Sequence, residues 1–229
     1  MGRALRRTEP RVVYHLLNRR VMRLPMFKKN ADYAAFEQVL ARALGRPDAP
    51  RLLAYCLMPN HWHLVVQASA GTSLSTWMQW VTVTHTHRWH AHYRLVGEGP
   101  LYQGRFKSFP IQEDGHFLTV CRYVEGNALR AGLVSRAEDW RWSSLWVRRG
   151  RDVELADGLM PWPVERPRDW LAAVNRPLAN EHLQDIRQAV ARGAPLGTDQ
   201  WRVRMAGRLG LQPTLRPRGR PPKTAIKST

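Results

Sequence analysis

The sequence predicts an α+β protein in which an antiparallel sheet carries helices on one face. Two observations predict this class. Short runs rich in β-branched and aromatic residues alternate with segments whose apolar residues recur at helical spacing, and a Pro-Asn pair joins two of the runs as a hairpin. A β-α-β-β-α core of this kind closes as an antiparallel sheet.

The predicted elements extend from residue 12 to residue 132. Apolar residues three and four apart predict the helices, and β-rich runs bounded by turn residues predict the strands. The second helix contains several β-branched residues, which are poor helix formers. In chain order, the predictions are a strand at 12–18, a helix at 32–44, central strands at 52–58 and 61–66, a helix at 74–93, a short hairpin at 101–111 and a helix at 113–132.

The composition changes after residue 149. Residues 150–168 are rich in Gly, Pro and charged residues and are predicted as a linker, and short helices are predicted at 181–192 and 198–209. The sequence therefore predicts a main domain at 1–149, a linker with a short helical extension at 150–210, and a basic Pro/Arg-rich tail at 211–229 that is disordered on its own.

The charge balance predicts the class of partner. Lys and Arg number 36 against 18 Asp and Glu, a formal net charge of +18. Such an excess predicts a polyanionic partner, most commonly nucleic acid. A membrane-surface protein is the alternative, but no apolar run is long enough to span a bilayer. The start lacks the apolar segment of a secretory signal, and both cysteines lie in apolar segments, which favours a reducing cytoplasm.

The sequence His61-Trp62-His63 lies in the second central strand. Residues two apart on a strand point to the same face, so His61 and His63 present two imidazoles side by side while Trp62 enters the opposite face. Two imidazoles on one rigid strand are half of a metal site. The alternative is that one histidine is a surface residue and the other pairs with a polar neighbour.

Tyr123 and Asn127 lie four apart in the third predicted helix and are expected to share one face. A tyrosine hydroxyl is a poor nucleophile near neutral pH, but a divalent cation beside it can polarise a phosphodiester and stabilise the departing oxygen. Asn127 offers a carbonyl oxygen that a hard cation accepts. The alternative is that the Tyr123 ring packs at the edge of the core.

Several basic residues are candidates for contacts with nucleic acid. Four are predicted to grip a phosphate backbone, and three belong to a Pro-flanked Arg-Gly-Arg segment that resembles an AT-hook and suits a narrow A·T minor groove. The alternative for that segment is a solvated tail with unspecific phosphate affinity. The candidates are Arg19, Arg20, Arg105 and Lys107, and then Arg216, Arg218 and Arg220. The histidine-rich segment 85–92 is predicted to be structural or DNA-facing, because helical residues two apart diverge.

Two motifs carry a resemblance to a known family. Residues 58–66, MPNHWHLVV, resemble the His-hydrophobic-His signature of the single-tyrosine HUH transposases, and residues 122–134, RYVEGNALRAGLV, are similar to that family's tyrosine helix. The match extends to residues 14–19 and 103–108. In detail the chain most resembles the REP-associated tyrosine transposases over residues 12–146. One departure is Ala128, where the family commonly has proline.

The resemblance implies a ferredoxin-like (RRM-like) fold with the two histidines on a central strand, facing the tyrosine helix. It implies a metal-dependent transesterase that cleaves and rejoins single-stranded DNA at palindromic hairpins through a covalent 5′-phosphotyrosine. Tyr123 is then the nucleophile, and His61, His63 and Asn127 hold Mg²⁺ or Mn²⁺. The implied partners are single-stranded and hairpin DNA, the protein is a monomer or homodimer, and it is cytoplasmic and nucleoid-associated. A catalytically silent hairpin-binding protein and a hydrolytic metal-dependent nuclease are the alternatives.

Overall fold

Four strands form one antiparallel sheet in the computed structural model, which describes residues 7–150 and 155–216. The strand order is β2-β3-β1-β4, so β3 and β1 are the interior strands. β1 pairs antiparallel with both β3 and β4, and β2 pairs with β3. The strands are β1 (Val13–Arg19), β2 (Arg51–Met58), β3 (His61–Gln67) and β4 (Lys107–Ile111). The predicted α+β class with an antiparallel sheet is confirmed.

The helices vary from single turns to twenty residues. The longest matches its predicted range, because Trp77, Met78 and Val81 are buried against the sheet and tertiary packing overrides weak local propensity. The helices are α1 (Asn30–Leu44), α2 (Leu74–Tyr93), α3 (Gly115–Glu125), α4 (Asn127–Arg130), α5 (Ser144–Val147), α6 (Trp170–Asn175), α7 (Asn180–Arg192), α8 (Asp199–Leu209) and α9 (Gln212–Leu215).

Helices cover both faces of the sheet, whereas one face was predicted. α1 and α2 share the first face, where Phe36 and Val81 pack with Trp62 of β3. α3, α6 and α7 occupy the second face, where Phe117 packs with Val65 of β3. The one-face prediction is therefore correct only for α1 and α2. Alternation along β3 supplies an apolar surface on each side, so each face needs its own cover.

The third predicted helix is broken in the structure. α3 ends at Glu125 and α4 begins at Asn127, with Gly126 between them. A Cβ on Gly126 would lie 3.0 Å from the carbonyl oxygen of Arg122 and 3.4 Å from that of Val174. Glycine therefore permits the close approach of α6 at the break.

The predicted hairpin at 101–111 is also wrong. Only Lys107–Ile111 forms a strand there, and it pairs with β1. Tyr102 instead makes an isolated bridge with Arg20, and the Gln103 amide donates to the Arg19 carbonyl over 2.9 Å. Residues 102–103 therefore lie alongside the end of β1, where their backbone groups are hydrogen-bonded.

The predicted linker and extension pack on the main domain. Met160 N–H donates to the Leu52 carbonyl over 2.9 Å, and the Trp162 indole donates to the Leu53 carbonyl over 2.8 Å, so this segment follows β2. On the opposite edge, Ile111 of β4 bridges to Leu196. Of the predicted tail, residues 211–216 are described, and Arg218 and Arg220 lie outside the described residues. No helix in the described parts of the chain is both long and apolar enough to cross a membrane.

Candidate active site

The two interior strands place histidines on the second face of the sheet. On β3, His61 lies opposite Arg19 of β1, and His63 lies opposite Leu17. The imidazole centroids of His61 and His63 are 4.9 Å apart, with their planes at 82°. Trp62 is buried on the first face, as the alternation of a strand predicts.

A third histidine, which the sequence reasoning missed, completes this group. His15 of β1 is fully buried, and its Nε2 lies 2.8 Å from Nδ1 of His63, with the rings stacked at 5.0 Å. The other nitrogen, His15 Nδ1, is buried without a hydrogen-bond partner among the described residues. The signal was available in principle, because His15 lies in the motif at 14–19, and the antiparallel pairing of β1 with β3 places it diagonally across from His63, on the same face.

The three imidazoles are neutral at pH 7. Burial lowers the pKa of His15 to about 3, and burial followed by the charges of Arg19 and Arg130 lowers that of His61 to about 4. The pKa of His63 lies well below its ordinary value, first because of burial and then because of the neighbouring histidines. Neutral imidazoles carry the lone pair that a metal ion requires.

Tyr123 lies in the last full turn of α3 and points its ring at the histidines. The centroid of its half-buried ring is 5.7 Å from that of His63 and 6.4 Å from that of His15, with the planes close to perpendicular. The structure thus brings the predicted nucleophile to the face that carries His61 and His63. Glu125 fixes this end of α3, since its buried carboxylate accepts from Ser144 Oγ over 2.6 Å and from the Trp170 indole over 2.7 Å.

Asn127 reaches the same site although it begins a separate helix. Its amide nitrogen lies 3.4 Å from His61 Nε2, and its carbonyl oxygen accepts from Arg130 Nη2 over 2.9 Å. The same Nη2 donates to the Tyr123 carbonyl over 2.9 Å, and Arg130 Cζ is 4.2 Å from the centroid of the Tyr123 ring. Sequence reasoning did not select Arg130.

The two strand histidines fit a divalent metal ion. His61 Nδ1 lies 2.6 Å from the Asn60 side-chain oxygen and must donate to it, so Nε2 carries the lone pair. That lone pair faces the Asn127 amide nitrogen at 3.4 Å and would bind a metal once this amide moves. If His63 Nδ1 donates to His15, His63 Nε2 carries the lone pair in the same way. Asn127 directs its amide nitrogen toward His61 and its oxygen toward Arg130, so the amide would have to turn to present its oxygen to an ion on His61. In the described ranges, no group of three or more His, Cys, Asp or Glu residues is arranged to hold a metal.

The predicted DNA-binding residues lie on different faces. Arg19 pairs across from His61, and exposed Lys107 pairs across from Leu17, so both flank the histidine face. Arg20 stacks on Trp89, with Cζ 4.4 Å from the ring centroid, and donates to the Pro25 carbonyl. The remaining described candidates are Arg105, exposed in a cleft beside α2, and Arg216, exposed after α9.

The histidine-rich segment forms part of α2. His85 is buried, and its Nδ1 accepts from the Tyr102 hydroxyl over 2.6 Å, while that hydroxyl accepts from the Trp62 indole over 3.2 Å. His87 and His92 are exposed. His85 therefore has a structural role on the first face, away from His61.

Comparisons with known proteins identify the family. Residues 8–127 match the family model of the IS200-like transposases. A solved REP-associated tyrosine transposase, bound to a REP hairpin, superposes with a TM-score of 0.54 at 18% identity, covering 78% of this chain and all of that one. A candidate transposase from Deinococcus radiodurans R1 gives a TM-score of 0.37 at 16% identity, covering 49% of this chain and 88% of that one.

No curated protein matches the sequence. The superposition on the hairpin-bound transposase supports the α+β fold at an identity too low to carry function. The family model matches more than half of the sequence and includes both strand histidines, Tyr123 and Asn127. The chain belongs to the IS200-like transposase family.

Proposed function

We propose that the protein is a single-tyrosine DNA strand transferase of the REP-associated branch, which cleaves and rejoins single-stranded DNA at palindromic hairpins. The observation that carries this proposal is the position of the Tyr123 ring, 5.7 Å from His63 on the face that also holds His61.

Tyr123 is the proposed nucleophile. Its phenolic oxygen attacks the scissile phosphorus, a P–O bond to tyrosine forms, and the bond to the 3′ oxygen breaks. The phenol loses its proton and the 3′ oxygen gains one, which leaves a 5′-phosphotyrosine and a free 3′-hydroxyl. Attack by another 3′-hydroxyl reverses these steps and joins the strands. No outside energy source is needed, because the phosphotyrosine bond conserves the energy of the phosphodiester that was cleaved.

His61 and His63 are the proposed ligands of Mg²⁺ or Mn²⁺. The bound ion supplies positive charge that polarises the phosphodiester and stabilises the departing oxygen. Imidazole is a softer ligand than Mg²⁺ prefers, so Mn²⁺ is expected to bind more tightly in vitro. Asn127 is the third ligand predicted from the sequence, and it could take that place only if its amide turned away from Arg130.

DNA is the proposed partner. The formal charge of +18 supports a polyanionic substrate, and Arg19 and Lys107 flank the histidine face. The related transposase in the solved structure is bound to a REP hairpin. We assign Arg19 and Lys107 to the strand at the site. Contacts further along the DNA are proposed for Arg105, Arg216, Arg218 and Arg220.

The test is a labelled single-stranded hairpin incubated with Mn²⁺ and analysed on a denaturing gel. The wild type should form a covalent protein–DNA species, and Tyr123→Phe should bind the hairpin without forming it. Tyr93→Phe is the matched control, because Tyr93 ends α2 and donates to Asp32 over 2.6 Å.

The alternatives give different gels. A hydrolytic nuclease would cleave the hairpin without forming the adduct, and its cleavage activity would persist in Tyr123→Phe. A silent binding protein would give neither cleavage nor adduct in any variant. An adduct that persists in Tyr123→Phe would remove Tyr123 from the nucleophile role.

A further inference from the structure

Arg130 brings a positive charge to the proposed nucleophile. Its Cζ lies 4.2 Å from the centroid of the Tyr123 ring, and Nη2 is fixed by two acceptors, the Tyr123 carbonyl and the Asn127 side-chain oxygen, each at 2.9 Å. The side chain is nevertheless exposed, and it forms no ion pair with a carboxylate of the described residues. The guanidinium is therefore held in place, and within residues 7–150 and 155–216 its charge has no anionic partner.

The chemistry of arginine shows what such an arrangement suits. A guanidinium has five N–H donors in a planar fork, and Nη2 accounts for the two hydrogen bonds described above. The donors of Nη1 and Nε have no acceptor in the part of the chain that the structure describes, so they are available to an anion. Arginine forks match the oxygen spacing of a phosphate, and a fork anchored in advance loses less freedom on binding.

The charges around Arg130 point to the same ligand. Arg19 lies opposite His61 in the pairing of β1 with β3, and Arg130 is bonded to Asn127, whose amide nitrogen lies 3.4 Å from His61 Nε2, so both cations border the same site. Arg187 of α7 also acts electrostatically on Arg130. Like charges gathered at one site repel one another, and an anion between them relieves that repulsion.

We propose that Arg130 is a catalytic residue that binds the scissile phosphate beside Tyr123, and that Asn127 is the residue that positions its guanidinium. This assignment rests on the proposed function. It gives Asn127 a role that agrees with the orientation of its amide, with the oxygen on Arg130 and the nitrogen toward His61. Binding the phosphate orients it for attack and offsets the charge that develops in the transition state.

The experiment measures binding in the Tyr123→Phe background, where no cleavage occurs. The cleaved phosphate is first mapped with wild-type protein, and a second hairpin then carries an uncharged methylphosphonate at that position. Adding Arg130→Ala should weaken binding to the normal hairpin about tenfold, because a charge-assisted contact is lost. Binding to the methylphosphonate hairpin should change little, since that contact is already missing.

Arg204→Ala is the matched control. It removes the same charge from an exposed position on α8, whose buried Met205 and Leu209 pack on the first face of the sheet. Its small loss should be equal on the two hairpins. Arg130→Lys keeps the charge without the planar fork and should give an intermediate, phosphate-specific loss, which also serves if Arg130→Ala is unstable.

Equal losses on both hairpins for the Arg130 variants, or no loss, would overturn the assignment. If wild-type protein forms the adduct, the proposed function survives that result. If wild-type protein forms no adduct on any hairpin, the proposed function fails and the assignment fails with it.

The role of Asn127 is tested by measuring Mn²⁺ affinity in the absence of DNA. The electron paramagnetic resonance signal of free Mn²⁺ reports how much of the ion is unbound. A positioning residue predicts that Asn127→Ala leaves this affinity nearly unchanged and reproduces the phosphate-specific loss of Arg130→Ala. His63→Ala is the positive control and should lose Mn²⁺. If Asn127→Ala loses as much Mn²⁺ affinity as His63→Ala, Asn127 is a metal ligand and the positioning role is wrong.

Discussion

His15 Nε2 and His63 Nδ1 lie 2.8 Å apart, and the two imidazoles stack at an angle of 18°. A hydrogen bond at Nδ1 of one histidine decides which of its nitrogens carries the lone pair. The fully buried His15 is the partner of His63 Nδ1, and when His15 accepts this hydrogen bond the lone pair of His63 lies on Nε2. Phe109 of β4 packs against His15 with ring centroids 4.9 Å apart and fixes its orientation.

Replacing His15 should weaken metal binding, although His15 is not one of the proposed ligands. His15→Phe keeps a ring beside Phe109 but removes the hydrogen-bond partner of His63 Nδ1, so Mn²⁺ affinity should fall about 10- to 100-fold, as for other partners of ligating histidines. His15→Gln keeps a polar acceptor and should lose less. The measurement is Mn²⁺ titration by electron paramagnetic resonance, and equal affinity in wild type and His15→Phe would refute the role.

Acid should destabilise the metal-free protein between about pH 6.5 and pH 3. The pKa is about 4 for His61 and about 3 for His15 and His85, against an ordinary 6.5. As pH falls below 6.5, these histidines bind protons in the unfolded chain but not yet in the folded protein. The free energy of unfolding therefore decreases until the pH reaches the pKa of the folded protein. Each such histidine contributes a slope of up to about 1.4 kcal/mol per pH unit.

Denaturant unfolding at a series of pH values in EDTA measures this slope. His85→Phe should make the slope shallower, because one buried histidine no longer titrates on unfolding. Replacing the exposed His92 by Ala should leave it unchanged. A slope that is the same in all three proteins would contradict the burial argument.

Arg19 and Arg20 are neighbours that should behave differently. Arg19 lies opposite His61, so Arg19→Ala should lower DNA affinity and reduce the slope of log affinity against log salt by about 0.7 on single strands. Arg20 stacks on Trp89 and donates to the Pro25 carbonyl. Arg20→Ala should therefore lower the melting temperature and leave the salt slope near that of the wild type. The reverse pattern would show that Arg20 is the one that contacts DNA.

Gly126→Ala should destabilise the protein by about 1–3 kcal/mol, the usual range for overpacking. The added Cβ would lie 3.0 Å from the Arg122 carbonyl oxygen and press on Val174 of α6. Because Tyr123 precedes the break by three residues, adduct formation should fall as well. Gly207→Ala is the control, since a Cβ there meets nothing within 4 Å. Equal stability of the two variants would show that α6 yields at this contact.

The sequence alone determined the elements with strong local signals. The helical spacing of apolar residues predicted α1 and α2. The Pro-Asn pair between two β-rich runs predicted the β2–β3 hairpin, with His61 and His63 on one face. These predictions succeeded because side-chain alternation and helical spacing are local properties of the chain. The charge balance and the motifs likewise led to the family, without reference to any fold.

Tertiary structure decided the features that depend on contacts between distant segments. The partner of His63 is a histidine 48 residues away, and it becomes evident only when β1 pairs with β3 in register. The break at Gly126 follows from the approach of α6, which the local helical pattern does not contain. The orientation of the Asn127 amide depends on Arg130 and His61 together, because an amide turns according to the donors and acceptors that surround it in the folded chain.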